Sequence, residues 1–502
     1  MPGFLGARGS DPTFGLLQVN LDTGRGRVIN RGSADTIDWF VNKDGDVIAE
    51  EKYNDRRDLY TIEMRVDGKL RKIFERKAAR PPLSIVGYKP DESALIVSLR
   101  NDGDYFNLAE LTPDGKLSGP IFQRGDADVD RVINNVNRVV FGVEYSGIYP
   151  RYEFFDDELD DFAEQIALMF PDAAVTLSDW TDDLNFFIFR VAGGALAPSY
   201  HLFDRQNTKL IRIGNAYEEI NDEDAAEVVS IAYKARDGVR IPSLLTRPRD
   251  WTPETPRPTI IMPHGGPESY DAMGFDWMAQ YFATRGYLVL QPNFRGSDGF
   301  GAEHRNAGRG NWGRGVMQHD VTDGLNALIK TKWADPDRVC IIGASYGGYA
   351  ALAGGAFTPD LYKCVAAIAP VADLPRMLYD ERQDHGKDSW VFDYWEELIG
   401  DPRAGRDKLK LISPSEHADQ FQVPVLLIHG NDDTVVPYRQ SAIMERALKR
   451  AGKDVEMVKL KGGDHWLSTS DARLDTLRAL DRFVARKIGP GAVATGGTGG
   501  GE

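Results

Sequence analysis

Residues 338–352 read Arg338-Val339-Cys340-Ile341-Ile342-Gly343-Ala344-Ser345-Tyr346-Gly347-Gly348-Tyr349-Ala350-Ala351-Leu352. An apolar run ends in Gly343-Ala344-Ser345-Tyr346-Gly347, and a run of small residues that reads as a helix start follows. In a Gly-x-Ser-x-Gly turn between strand and helix, the small neighbours of serine permit a sharp, strained bend that holds the hydroxyl out over a sheet. The stretch therefore predicts a nucleophile elbow with Ser345 as nucleophile, and with it a serine hydrolase.

The surrounding sequence has the rhythm that such an elbow needs. From about residue 226, a hairpin-like segment (VVSIAYKARDGVRIPSLLTRP) leads into strands PTIIMPHGG, YLVLQPNF, RVCIIGAS, KCVAAIAPV, VPVLLIHG and DVEMVKLKG. Helical segments alternate with them, the last with Leu474, Leu477, Leu480 and Val484 on one stripe. Such alternation predicts a mostly parallel sheet with helices on both faces and active residues on loops at the carboxyl ends of strands.

A serine hydroxyl needs a general base, and the base an orienting carboxylate. In an α/β-hydrolase the chain order is serine, acid, histidine, each after a strand. Asn431-Asp432-Asp433 follows strand VPVLLIHG, and Gly463-Asp464-His465 follows DVEMVKLKG. His465 is the expected base and Asp433 its orienting acid, with the adjacent Asp432 a competitor. Asp464 is expected to shape its loop. The tetrahedral intermediate needs two donors for its oxyanion. The Tyr346 amide is one candidate, and the Gly266 amide in His264-Gly265-Gly266-Pro267 is the other.

The remaining histidines read as structural. His429, at a strand end, is expected to be buried with satisfied nitrogens. His417 lies just after Ser413-Pro414-Ser415-Glu416, a capping-box pattern with proline at the first helical position. His201, His304, His319 and His385 have no partner pattern.

A net charge of -16 over 502 residues argues against nucleic acid and anionic membrane surfaces as partners. Length alone suggests two domains. The two cysteines, Cys340 and Cys364, are expected as buried free thiols, since each lies in an apolar run and no zinc-like spacing occurs. No metal or cofactor is implied. The first residues lack a basic segment followed by an apolar one, and no apolar run is long enough to cross a bilayer, so a soluble, cytoplasmic protein is expected. Self-association as a homo-oligomer is left open.

Residues 1–215 have a different rhythm. Turns at Asp22-Thr23-Gly24, Asp67-Gly68, Asp114-Gly115, Asp156-Asp157 and Asp204–Asn207 recur about every 45 residues. Asp44-Gly45, Pro90-Asp91 and Asp182-Asp183 fall between them. Two hairpins per repeat is the pattern of a four-stranded propeller blade, and about four to five blades are expected. The first repeat lacks its inner hairpin, so either the propeller is unusually small or, the preferred reading, it is N-terminally shortened. The expected organisation is a β-propeller-like domain at 1–215, an acidic linker at 216–225, an α/β-hydrolase domain at 226–488 and a disordered glycine-rich tail at 489–502.

Taken in series, His264–Pro267, Asn293-Phe294-Arg295-Gly296-Ser297-Asp298-Gly299-Phe300-Gly301, Gly343–Gly348, His429-Gly430-x-x-Asp433-x-x-Val436-Pro437 and Gly463-x-His465 resemble the prolyl oligopeptidase family of serine peptidases. The histidine-led HGGP loop most resembles its acylaminoacyl-peptidase branch. The resemblance implies a Ser345–Asp433–His465 triad, an acyl-enzyme, and a propeller that restricts substrates to short peptides. Family members usually carry more blades than are legible here. Where some members place a polar or basic side chain, two residues past the acid, this chain has Val435, and the paired glutamates of dipeptidyl peptidases are not recognisable. Met377, Trp390, Phe392, Tyr394 and Trp395 are candidates for an apolar pocket beside the cleaved bond, and equally for core. A carboxylesterase with the same triad, and a non-catalytic propeller binding protein, are the alternatives.

Overall fold

The computed structural model describes residues 2–5, 13–99, 107–386, 389–400 and 402–489. Beyond Gly489 the expected tail lies outside the described residues. The chain divides into two compact units, residues 1–146 with 151–165, and residues 147–150 with 166–502.

The first unit is built of antiparallel sheets. Among the described residues it holds a three-stranded sheet within 2–30, four-stranded sheets within 36–77 and 83–122, and a three-stranded sheet within 129–154. A fifth sheet, of four strands within 174–215, groups with the second unit, although it lies on the propeller side of the boundary expected at 215. Local contacts account for this grouping. Val228 N–H donates to Gly194 O at 2.7 Å, and Ala197 N–H donates to the Asp222 carboxylate at 2.9 Å. The Asp-Gly turns fall between paired strands as expected, with one correction. Asp156-Asp157 opens the helix Asp157–Leu168 instead of closing a hairpin. Asp157, Glu158 and Asp160 fill its first turn, where negative charge favours the helix dipole, and Asp156 Oδ1 accepts from Glu158 N–H.

The second unit is organised by one eight-stranded sheet. Its strands are β1 (Glu227–Lys234), β2 (Arg240–Arg247), β3 (Arg257–Ile261), β4 (Leu288–Pro292), β5 (Ala334–Ala344), β6 (Cys364–Ile368), β7 (Val425–Gly430) and β8 (Val455–Leu460), in the order β1-β2-β4-β3-β5-β6-β7-β8. Only β2 runs against the rest. Alternate residues feed two cores. Ile341, Val365 and Leu427 join one with helices α1 (Val316–Lys330) and α2 (Tyr346–Phe357); Ile342, Ala366 and Ile428 join the other with the helix Trp277–Ala283 and the C-terminal helix. Burial on both faces explains why these strands read as continuous apolar runs.

Two further expectations are corrected. Cys340 and Cys364 are not free thiols: they are register partners on β5 and β6, 4.8 Å apart at Cα, and form a disulfide. The C-terminal helix, Ser470–Ile488, buries Ala472, Thr476, Ala479, Leu480, Phe483 and Val484, while Leu474 is exposed. Leu480 and Val484 of the expected stripe are thus buried and Leu477 packs partly buried against the same core, while Leu474 stands outside it.

Candidate active site

Ser345 stands between β5 and α2 with φ 58° and ψ -120°, a strained conformation for a residue with a side chain. The flanking glycines make it attainable. A Cβ at Gly343 would collide with Gly347 O, and one at Gly347 with Pro263 O. Ser345 N–H donates to Ile368 O at 2.9 Å, which pins the turn to β6. Tyr346 opens α2, in the first turn of which amides lack intrahelical partners. Its ring lies in an aromatic cluster with Phe294, Trp312 and Tyr349.

The loop after β3 passes beside this turn. A Cβ at Gly265 would sit 3.4 Å from both Ala344 O and the Ser345 Cβ, whereas Gly266 is exposed with φ +118°. A side chain at Gly265 would therefore crowd the serine turn, whereas the sequence reading singled out the Gly266 amide. His264 stacks on Phe294, with ring centroids 4.4 Å apart, and burial lowers its imidazole to about 4. A neutral ring has one N–H, and a carbonyl only accepts. Nδ1 therefore donates to Gly265 O at 2.7 Å, and Nε2 lies 2.8 Å from the Ser297 hydroxyl oxygen, which also lies 2.6 Å from Phe294 O.

The 293–301 segment holds that partner in place through Arg295. Its Nε and Nη2 bond both oxygens of the fully buried Asp320 at 2.9 and 2.7 Å, and its Nη1 bonds Asp237 at 2.6 Å.

Asp433 and His465 are brought together from the loops after β7 and β8. His465 Nδ1 donates to Asp433 Oδ2 at 2.7 Å. Asp433 Oδ1 accepts from the amides of Val435 and Val436 at 2.9 and 2.8 Å, and the side chain is fully buried. Burial alone would raise this carboxyl, but hydrogen bonds from His429 and His465, and the charge of His465, outweigh it and hold it far below the usual carboxylate range. Asp432 is exposed and accepts from Asn431, and Asp464 is half-buried and accepts from Ser468 N–H. Ser345, Asp433 and His465 thus follow three parallel strands of one sheet, at their carboxyl ends.

The expected pocket residues separate. Phe392 is enclosed in the core at 1% exposure, and Met377, Tyr394 and Trp395 pack half-buried against it. The side chain of Trp390 lies outside the described residues. Tyr394 O–H donates at 3.0 Å to Glu268, two residues past Gly266, and so ties its helix, Trp390–Ile399, to the glycine loop. Sequence gave no sign of Glu268, whose carboxyl burial raises. The capping box at Ser413 does not form: its hydroxyl bonds Leu409 O and Leu374 N–H instead.

Among the described residues no group of three or more His, Cys, Asp or Glu side chains is arranged to hold a metal ion, and no helix is long and apolar enough to cross a membrane.

Residues 273–491 match the prolyl oligopeptidase family. A dipeptidyl aminopeptidase BIII of Pseudoxanthomonas mexicana is 32% identical over 305 residues, covering 58% of this chain and 43% of that protein. The acylamino-acid-releasing enzyme of Rattus norvegicus is 28% identical over 235 residues, covering 47% and 32%. The chain thus spans less than half the length of these relatives. Among solved structures, a puromycin-hydrolyzing peptidase of Mycobacterium tuberculosis superposes with a TM-score of 0.73 at 21% identity, over 97% of this chain and 76% of that one. A structure from a study of two prolyl endopeptidases gives 0.74 at 15%, over 97% and 72%. At such identities these structures speak for the fold, a β-propeller joined to an α/β-hydrolase. The sheet order and the strained serine turn agree with that fold, and residues 273–491 are similar to the prolyl oligopeptidase family.

Proposed function

We propose that this chain is a serine peptidase that hydrolyses short peptides by covalent acyl transfer. Ser345 Oγ attacks the peptide carbonyl carbon as His465 accepts its proton. His465 then returns that proton to the leaving amine as the C–N bond breaks, and water releases the acyl group by the reverse proton path. Asp433 orients His465 and offsets the charge it acquires. The amides of Tyr346 and Gly266 donate to the oxyanion, each contributing on the order of 10²- to 10³-fold in rate.

One observation supports this most: the 2.7 Å hydrogen bond from His465 Nδ1 to a carboxylate held ionised in a buried loop. That arrangement leaves Nε2 as the nitrogen for proton transfer. The matched relatives include a dipeptidyl aminopeptidase and an acylamino-acid-releasing enzyme, so free and blocked amino termini are both worth offering.

The test is mass-spectrometric profiling of a peptide pool with free and blocked termini, beside a nitrophenyl ester, against a Ser345→Ala control. Cleavage of peptides by the wild type alone supports the proposal. Hydrolysis confined to the ester makes the protein an esterase, and peptide cleavage undiminished in Ser345→Ala sinks the nucleophile assignment.

A further inference from the structure

His429, the penultimate residue of β7, lies four positions before the acid and is wholly buried. Its Nε2 lies 2.8 Å from Val436 O and 3.3 Å from Asp433 Oδ2, and its Nδ1 lies 2.7 Å from Ser441 Oγ. A carbonyl oxygen only accepts, so Nε2 carries the proton, and in the neutral ring Nδ1 accepts from the Ser441 hydroxyl. Ser441 stands on the helix Arg439–Arg450 and fixes this tautomer from behind. The single N–H is thereby aimed into the acid loop, shared between the carbonyl that closes the 433–436 turn and the Oδ2 that also accepts from His465.

With the Val435 and Val436 amides on Oδ1, the carboxylate has two donors on each oxygen. Rotation of the carboxylate plane would break bonds at both ends. Other groups around the ring are the edge-on Tyr438, with centroids 5.6 Å apart, and Lys459, whose Nζ lies 4.5 Å from the Tyr438 centroid.

Building on the proposed triad, we infer that His429 is a positioning residue for the reaction: its Nε2–H holds the Asp433 carboxylate in the orientation from which His465 is presented to Ser345. A histidine that merely fills the core would be replaceable by an apolar side chain of similar size. One that positions the acid is replaceable only by a side chain that keeps the donor.

The test compares His429→Leu, His429→Gln and Ser441→Ala with the wild type. Folding is followed by thermal unfolding, Ser345 reactivity by fluorophosphonate labelling, and kcat and KM on a peptide nitroanilide from pH 5 to 9. Loss of one hydrogen bond to a charged group predicts a fall in kcat on the order of tenfold in His429→Leu. KM should be unchanged. The acid limb of kcat/KM should move to higher pH, because Asp433, with one donor fewer, presents more charge to its neighbour. His429→Gln should recover most of the loss, and Ser441→Ala, which frees the tautomer, should lose severalfold.

Folded His429→Leu with wild-type kcat and an unmoved acid limb, or His429→Gln no better than His429→Leu, overturns the inference while the triad stands. Should His429→Leu not fold, wild-type kinetics in both His429→Gln and Ser441→Ala at every pH overturn it equally. A wild type unlabelled at Ser345 overturns the triad and this inference together.

Discussion

Pro263 O occupies the space that a side chain at Gly347 would need. The serine turn after β5 and the glycine loop after β3 therefore share one contact, and neither can shift alone. Even one methyl group at Gly347 must push the loop away from Ser345 or tilt the start of α2. Displacements of about 1 Å in a catalytic constellation cost on the order of 10²-fold. Gly347→Ala is expected to lower kcat/KM by about that much, with a matching fall in fluorophosphonate labelling rate. Wild-type values would show that the two loops move independently.

Ser345 holds a positive φ that only glycine adopts without strain. Both Ser345→Ala and Ser345→Gly are expected to be inactive, but Ser345→Gly should be the more stable by roughly 1 kcal/mol, since it alone relaxes the turn. Denaturant unfolding of the two variants reads this difference directly.

Arg295 is expected to matter for stability. Asp320 is fully buried and holds the Arg295 guanidinium through both oxygens. Removing one partner of such a pair leaves an uncompensated charge, at a cost of about 3–5 kcal/mol. Arg295→Ala should unfold at correspondingly lower denaturant. Arg295→Ala,Asp320→Ala together should recover part of the loss.

In the first unit, burial is the largest influence on Glu51; the Tyr60 hydroxyl acts against it and Asp38 with it, and the carboxyl rises from 4.5 to about 7. The folded state thus binds this proton more tightly than the unfolded state. Its contribution to stability is fully present below about pH 4.5 and is lost as pH rises through about 7. Glu51→Gln, which keeps an acceptor for Tyr60, is expected to be more stable than the wild type at pH 8 by about 1–3 kcal/mol and nearly equal to it at pH 5. Thermal unfolding at the two pH values decides the sign.

Thiol titration tests the pairing of Cys340 with Cys364. Unfolded, unreduced protein should show no free thiol, and reduced protein two. Two thiols before reduction would restore the expectation drawn from the sequence.

What could be read in advance was local. The elbow, the β7 and β8 loops and the strands between them are written in contiguous residues, and the fixed order of serine, acid and histidine turned separate loops into one expectation. Asp433 could be preferred to Asp432 because its spacing from His429-Gly430 is that of the family pattern the chain resembles. Side-chain relations across strands were not legible. The Cys340–Cys364 pairing depends on the register of β5 against β6, which no spacing reveals. His429 was foreseen as buried and satisfied, yet its 3.3 Å approach to Asp433 follows from how the acid loop folds back over its own strand. Glu268 sits next to a recognised motif but gains its contact from Tyr394, 126 residues away in sequence. In the front half the turn residues marked the hairpins well, except at Asp156, where an acidic first turn favoured a helix.

Labelling with a fluorophosphonate, followed by peptide mapping, tests the central claim most directly. A single adduct on the peptide containing Ser345, absent from Ser345→Ala and strongly slowed in His465→Gln, is the predicted result. An adduct on another serine, or labelling of Ser345 at an unchanged rate in His465→Gln, would contradict it.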